Sequence, residues 1–209
     1  MNKERYLHML DVQHLMGRRI PCLATGLPAL LVMDMQNYFL SSDSHAFVPS
    51  APDLIEPLKQ MVQVFQSKDL PVFFTRHLNT VENAGSMGRW WRDTLTEQNP
   101  LSKMDDAFTT SGAEVIVKSQ YDAFLHTDLQ DRLNSLQVTS VVVTGVMTNL
   151  CCETTARAAF TRGFDVVFPV DRSATYNAEL HNATIINLSH GFTSPSCGEA
   201  VIGEVINGC

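Results

Sequence analysis

A three-layer α/β/α fold with a mostly parallel sheet of five to six strands is what this chain predicts, on three observations. Short apolar, β-branched runs alternate with amphipathic segments, the pattern of strand–helix–strand units joined by right-handed crossovers. The segment Thr139–Phe160 (TSVVVTGVMTNLCCETTARAAF) shows one such unit. It passes from a continuous apolar run to an Ala- and Thr-rich stretch whose apolar spacing suits a helix from about Glu153. Finally, 44% of the 209 residues are hydrophobic, enough for one domain with a substantial core.

The elements follow in order. Residues 1–27 read as an N-terminal extension of a single domain, 1–209. Its first twenty residues carry charges throughout, lack the apolar core of a signal peptide, and allow a helix with Tyr6, Met9, Leu10 and Leu15 on or near one face. Pro28–Met35 (PALLVMDM) reads as the first strand, and Pro52–Lys68 as a helix opened by Pro52 and Asp53. Pro71–Thr75 and Glu114–Lys118 read as the second and third strands, and Thr127–Leu136 as a helix. Val138–Thr144 is the fourth strand, Cys152–Thr161 its helix, and Gly163 the stop before a fifth strand, Asp165–Val170. Ala178–Ser189 is expected to be the last long helix. The stretch from His77 to Gly112 breaks the rhythm: it is polar, holds Gly85, Gly88 and Pro100, and carries both tryptophans, Trp90 and Trp91. A connection of that length in a compact domain is usually functional, so 77–112 is read as lid-like.

Composition excludes several classes. The formal net charge is −7 with no Lys/Arg block, which speaks against nucleic acid and anionic membranes as partners. The longest apolar runs, such as LPALLVM, are too short to span a bilayer. Five cysteines, an odd count without framework spacing, fit reduced thiols in a cytoplasmic protein. There is no CxxC, no HExxH and no His/Cys cluster at zinc spacing, so neither metal nor cofactor is expected. The expected partner is a small-molecule substrate.

Three chemistry-bearing groups stand at or just beyond strand ends: Asp34, Lys118 and Cys151. Asp34 interrupts an apolar strand, and burying a carboxylate is costly unless it is paired. Lys118 ends the apolar run EVIVK and raises the same problem with opposite sign. Cys151 sits at a helix start, beyond the carboxyl end of a strand, where free N–H groups and the helix dipole favour a thiolate and open sheets place their ligands. Convergence of the three at one sheet edge would answer these difficulties together: the carboxylate takes the thiol proton, and the ammonium keeps the carboxylate ionised. Taken singly each has a plainer reading, as a turn residue, a snorkelling lysine and a core cysteine.

The set DMQNYF, KSQYDAF and TGVMTNLCCETTARAAF resembles the isochorismatase-like cysteine hydrolases, a family that includes nicotinamidases, N-carbamoylsarcosine amidase and isochorismatases. The resemblance covers about residues 28 to 190 in the family's motif order. It implies a Rossmann-like sheet in the isochorismatase-like hydrolase fold, a catalytic triad of Asp34, Lys118 and Cys151, and a non-proline cis peptide bond between Val146 and Met147. It also implies a homodimer or homotetramer. The nucleophile of the family follows the TGV glycine by six residues, which selects Cys151 over Cys152. The metal-binding Asp-x-His element of nicotinamidases, expected after the first strand, is missing from SSDSHAFVPSAPD, so Asp43 and His45 are read as loop residues.

The motifs stand nearer the isochorismatase branch, yet that branch typically lacks the cysteine, and a thiol implies an acyl centre. The expectation is therefore a metal-independent cysteine hydrolase of a small amide, carbamoyl or imide. In it Asp34 deprotonates Cys151, the backbone N–H groups of Met147 and Cys151 hold the oxyanion, and Lys118 orients Asp34. Isochorismate hydrolysis with Asp34 as acid, and a non-catalytic binding protein on the same fold, are the alternatives. Phe39, Trp90, Trp91, Tyr121 and Phe124 are candidate substrate contacts. Arg89 and Arg92 could meet a substrate carboxylate, and His77 lies at the right sheet edge though a structural role suits it as well.

Overall fold

Among the described residues seven strands build the sheet: β1 (Pro28–Met33), β2 (Val72–His77), β3 (Glu114–Lys118), β4 (Ser140–Val146), β5 (Asp165–Pro169), β6 (Ser173–Ala174) and β7 (Ser194–Ser196). Their order is β3-β2-β1-β4-β5-β7, with β6 beside the end of β4, and all of these pairings are parallel. The computed structural model describes residues 23 to 109 and 113 to 208. The expected N-terminal helix with Tyr6, Met9, Leu10 and Leu15, together with Cys22 and Cys209, lies outside the described residues.

The central strands are apolar on both sides because both faces are covered. Every residue of β1 and β4 is buried. Alternate residues of β1 serve opposite layers. Leu30 and Val32 pack with Leu58, Met61 and Phe65 of helix α1 (Ile55–Ser67) and Val201 of α5 (Gly198–Asn207). Ala29, Leu31 and Met33 pack with Leu133 of α2 (Leu129–Ser135), Ala156 of α3 (Glu153–Thr161) and Leu188 of α4 (Ala178–Gly191). No helix among the described residues is long and apolar enough to cross a membrane.

The differences from the sequence expectation have local causes. The first strand stops at Met33, two residues early, because Asp34 takes φ 48°. The sheet gains β6 and β7, which are too short and too Ser-rich to show a period. Ala178–Ser189 is not the last long helix: α5 follows it, its apolar pattern interrupted by Gly198 and Gly203. Helix α3, expected from Cys152, begins at Glu153, and Thr148–Cys152 forms one π-helical turn ahead of it.

Buried Gln36 and partly buried Arg76 fasten the connection that follows β2. Gln36, fully buried, donates from Nε2 to the carbonyls of His77 (3.1 Å) and Ser102 (2.7 Å) and accepts from the His77 amide at 2.7 Å. Arg76 donates to the Ser102 carbonyl and hydroxyl, both at 3.0 Å, and to Glu97. Polar groups satisfied in this way give the loop a fixed path over the sheet edge.

Gly145 lets β4 approach β1 just below that edge. It pairs with Met33, has φ 97°, and a Cβ there would press into the Met33 backbone carbonyl and amide. Both the left-handed backbone and the close approach exclude a side chain. Gly145→Ala is therefore expected to lower unfolding free energy by at least about 2 kcal/mol in urea titration. A loss below about half a kcal/mol would mean that β4 can shift freely at this point.

Candidate active site

The carboxyl ends of β1 to β4 deliver the polar groups to one place. Asp34 follows β1, Thr75 and His77 lie on β2, Lys118 ends β3, and Cys151 sits in the π-helical turn after β4. β3 is separated from β1 by β2, so only a long side chain can reach Asp34 from it. Lys118 Nζ does so, lying 2.8 Å from Asp34 Oδ2, 3.2 Å from Cys151 Sγ and 3.0 Å from the Gln120 carbonyl. The side chains of Asp34 and Lys118 are both 0% exposed. Thr75 braces the carboxylate twice: its hydroxyl donates to Asp34 Oδ1 at 2.6 Å and accepts from the Asp34 amide at 3.1 Å. The cis bond between Val146 and Met147 is present at the start of the turn.

The electrostatics define one resting protonation state. Burial alone would raise the Asp34 carboxyl, but the adjacent Lys118 charge, aided by Cys151 and Lys118 hydrogen bonds, holds it below the usual carboxylate range. Burial would lower Lys118, and the Asp34 carboxylate more than reverses this. Burial, reinforced by Asp34, pushes the Cys151 thiol up to about 12. The free site thus holds a carboxylate, an ammonium and a neutral thiol. The sequence expectation of a thiolate favoured by a helix start differs here. Cys151 precedes the regular helix α3, and desolvation outweighs the neighbouring ammonium.

His77 completes the set. Asn79 Nδ2 donates to the Ser119 carbonyl at 2.8 Å, which turns its Oδ1 toward His77 Nε2 at 2.9 Å. The imidazole proton is therefore on Nε2, and the Nδ1 lone pair faces Lys118 Nζ at 3.4 Å. Burial and then the Lys118 charge push His77 down to about 4, so it is neutral at physiological pH.

The two cysteines are distinct in position. Cys151 borders a cavity of about 200 Å³. Cys152 is fully buried, directs its thiol to the Thr144 carbonyl at 3.6 Å, and is pushed well up by burial.

The cavity collects some of the expected residues and leaves others out. Phe39, Trp91, Tyr121 and Met147 line it, and Trp91 Nε1 donates to the Tyr121 hydroxyl at 2.7 Å. Trp90 does not line it: it is 78% exposed on the outer side of the short turn Met87–Trp90, whose Met87 faces the cavity instead. Phe124 does not line it either. It is buried against Phe164, with the Arg162 guanidinium over its ring, as part of the core cluster that holds Ile116, Leu129 and Leu133. Arg89 lies on the exposed loop against Ser86, while Arg92 borders the cavity. Asp43 is an exposed loop residue, but His45 is a cavity residue, in contact with Tyr38 and Asp93.

Sequence reasoning missed Thr75, Tyr38, Asp93 and Tyr176. Thr75 had a signal in being the polar end of an apolar strand. Tyr38 had one in standing beside Phe39 in the DMQNYF motif that carries Asp34.

A family model, the isochorismatase domain, matches residues 28–200. Nicotinamidase 3 of Arabidopsis thaliana is 40% identical over 170 residues, covering 78% of this chain and 81% of that protein. A cysteine hydrolase from Pseudomonas syringae pv. phaseolicola 1448A superposes with a TM-score of 0.83 over 91% of this chain and 96% of its own, at 23% identity. N-carbamoylsarcosine amidase from Thermoplasma acidophilum does so with a TM-score of 0.72 over 83% and 97%, at 21% identity.

The depressed His77 value has a sign that can be measured. Between pH 6.5 and about 4 the unfolded chain protonates this imidazole and the native chain does not, so native stability falls as pH falls through that window. His77→Gln removes the effect. The stability advantage of the wild type over His77→Gln should shrink by up to about 3 kcal/mol between pH 7 and pH 4 in denaturant titrations. A gap independent of pH would show that His77 is not held neutral.

Proposed function

The chain belongs to the isochorismatase family of hydrolases, and from that premise we propose that it is a cysteine amidohydrolase acting on a small amide, carbamoyl or imide compound. The observation that carries this reading is the arrangement on the cavity wall. Cys151 Sγ lies 3.2 Å from a Lys118 ammonium that is itself 2.8 Å from the Asp34 carboxylate. Similarity to a nicotinamidase over most of both chains supports amide chemistry.

In the proposed reaction Asp34 accepts the Cys151 proton as sulfur bonds to the substrate carbonyl carbon. A depressed carboxyl and a thiol near 12 stand in the wrong order for a free thiolate to accumulate, so proton transfer accompanies C–S bond formation. The carbonyl electron pair moves to oxygen, which the backbone N–H groups of Met147 and Cys151 hold, each such donor commonly contributing about 3 kcal/mol. Collapse expels the nitrogen, protonated by Asp34, and leaves a thioester on Cys151. Asp34, again a carboxylate, takes a proton from water as it attacks the thioester; on collapse Asp34 returns that proton to the departing sulfur, which releases the acid and restores both the thiol and the carboxylate. Lys118 stays charged throughout and lowers the energy of each anionic state beside it. Asp34 moves each proton in this sequence and the backbone N–H groups hold the oxyanion, so the reaction as proposed needs no metal ion. Thr75 and His77 act as positioning residues, one fixing the carboxylate and the other the ammonium.

The test is a screen of small amides and carbamoyl compounds for ammonia release, with isochorismate in parallel. On a substrate so found, Cys151→Ala and Asp34→Asn should each lose at least about a thousandfold in kcat/KM. Acid-quenched wild-type protein should carry the acyl mass on Cys151, and EDTA should leave turnover unchanged. Wild-type activity of Cys151→Ala on isochorismate would replace this reading with vinyl-ether hydrolysis.

A further inference from the structure

The cavity carries a second charged group that the chemistry above does not use. Asp93 borders it, and the Tyr38 hydroxyl donates to Asp93 Oδ1 at 2.6 Å. That donation spends the phenol's only proton, and burial together with Asp93 raises the Tyr38 pKa, so the proton stays on Tyr38. His45 Nε2 lies 3.3 Å from both the Tyr38 oxygen and Asp93 Oδ1. Both are acceptors here, so Nε2 bears the proton that links them. Two donors therefore fix Oδ1. Among the described residues, His45 is the one basic side chain within ion-pair distance of Asp93. Arg92, its neighbour in the chain, also borders the cavity but makes no ion pair with it. Phe39, Trp91, Tyr121 and Tyr176 give the wall four further aromatic side chains, alongside the apolar Met87, Leu95, Met147 and Leu150.

A fixed carboxylate beside aromatic faces is a site for a cation: the carboxylate supplies the counter-charge and the rings present their negative faces. The proton transfers proposed for Asp34 and Cys151 need no second acid. From this juxtaposition we infer that Asp93, held by Tyr38 and His45, is the specificity-determining residue of the cavity and selects amide substrates whose body carries a positive charge. The inference rests on the reading of this cavity as the substrate site of an amidohydrolase. A simpler role for Asp93, tying the 77–112 connection to Tyr38, needs only an acceptor oxygen and no charge, and an asparagine supplies that.

Isothermal calorimetry on the full-length Cys151→Ala chain separates the two, because it reads binding without turnover. The probes are three carboxamides of one shape: 1-methylpyridinium-3-carboxamide (cationic), 3-methylbenzamide (neutral) and 3-carbamoylbenzoate (anionic). The cation should bind at least about tenfold more tightly than the neutral ring, and the anion most weakly. Asp93→Asn in the same background should bring cation and neutral ring to within about twofold. Equal binding of cation and neutral ring, preference for the anion, no binding of any probe, or a preference untouched by Asp93→Asn would each overturn the inference. Ammonia release by the wild type is scored separately. A charge preference without ammonia release upholds the cation site and removes the amidase reading, and ammonia release without a charge preference does the reverse.

Discussion

The ion pair between Asp34 and Lys118, 2.8 Å apart and sealed from solvent, is the constraint around which the sheet edge is organised. Removing two charges from water costs several kcal/mol each, and the attraction offsets that only when the geometry is good and the remaining polar atoms have partners. The neighbouring residues meet those conditions. Thr75 takes the second carboxylate oxygen, the Gln120 carbonyl takes an ammonium proton, and the neutral His77 presents a lone pair in place of a competing charge. The strand order has a part as well. With β2 between β1 and β3, lysine has the length to cross the gap, and Thr75 on the intervening strand meets the carboxylate on the way.

The pair also sets the state of the thiol. A carboxylate already neutralised by an ammonium is a weak base toward a buried cysteine, and Cys151 rests as a neutral thiol. In the proposed reaction this keeps the nucleophile quiet until a carbonyl carbon is in place, since sulfur gains charge only as that charge passes to the substrate oxygen. Catalytic chemistry and recognition are then handled by separate parts of the cavity. The first comes from strand ends of the rigid sheet. The second, as inferred above, comes from residues outside the sheet, Tyr38, His45 and Asp93, with the connection after β2 held in place by Gln36 and Arg76.

Much of the fold was legible because the central strands are buried on both faces and therefore read as unbroken apolar runs. What escaped was short or masked by composition. Ser173–Ala174 and Ser194–Ser196 are too brief for a period, and two glycines blur the apolar face of Gly198–Asn207. Asp34 and Lys118 drew notice as charges ending apolar runs, a signal that carries its own physical cost. Thr75 gave a weaker signal, as the polar end of an apolar strand, and Asp93 gave none, since a loop carboxylate is cheap to expose and its partner Tyr38 lies far along the chain. Phe124 and Trp90 show the reverse: their aromatic character suggested the pocket, but the turn of the backbone sent one into the core and the other to solvent.

In the free site Asp34 is ionised, Lys118 is charged and Cys151 is protonated. Infrared difference spectroscopy at neutral pH, wild type minus Cys151→Ala and wild type minus Asp34→Asn, observes two of these groups directly. An S–H stretching band should disappear with Cys151, and a carboxylate band, without a protonated carboxyl band, should disappear with Asp34. No S–H band attributable to Cys151, together with a protonated carboxyl band from Asp34, would contradict this assignment by placing the proton on the carboxylate and the charge on sulfur.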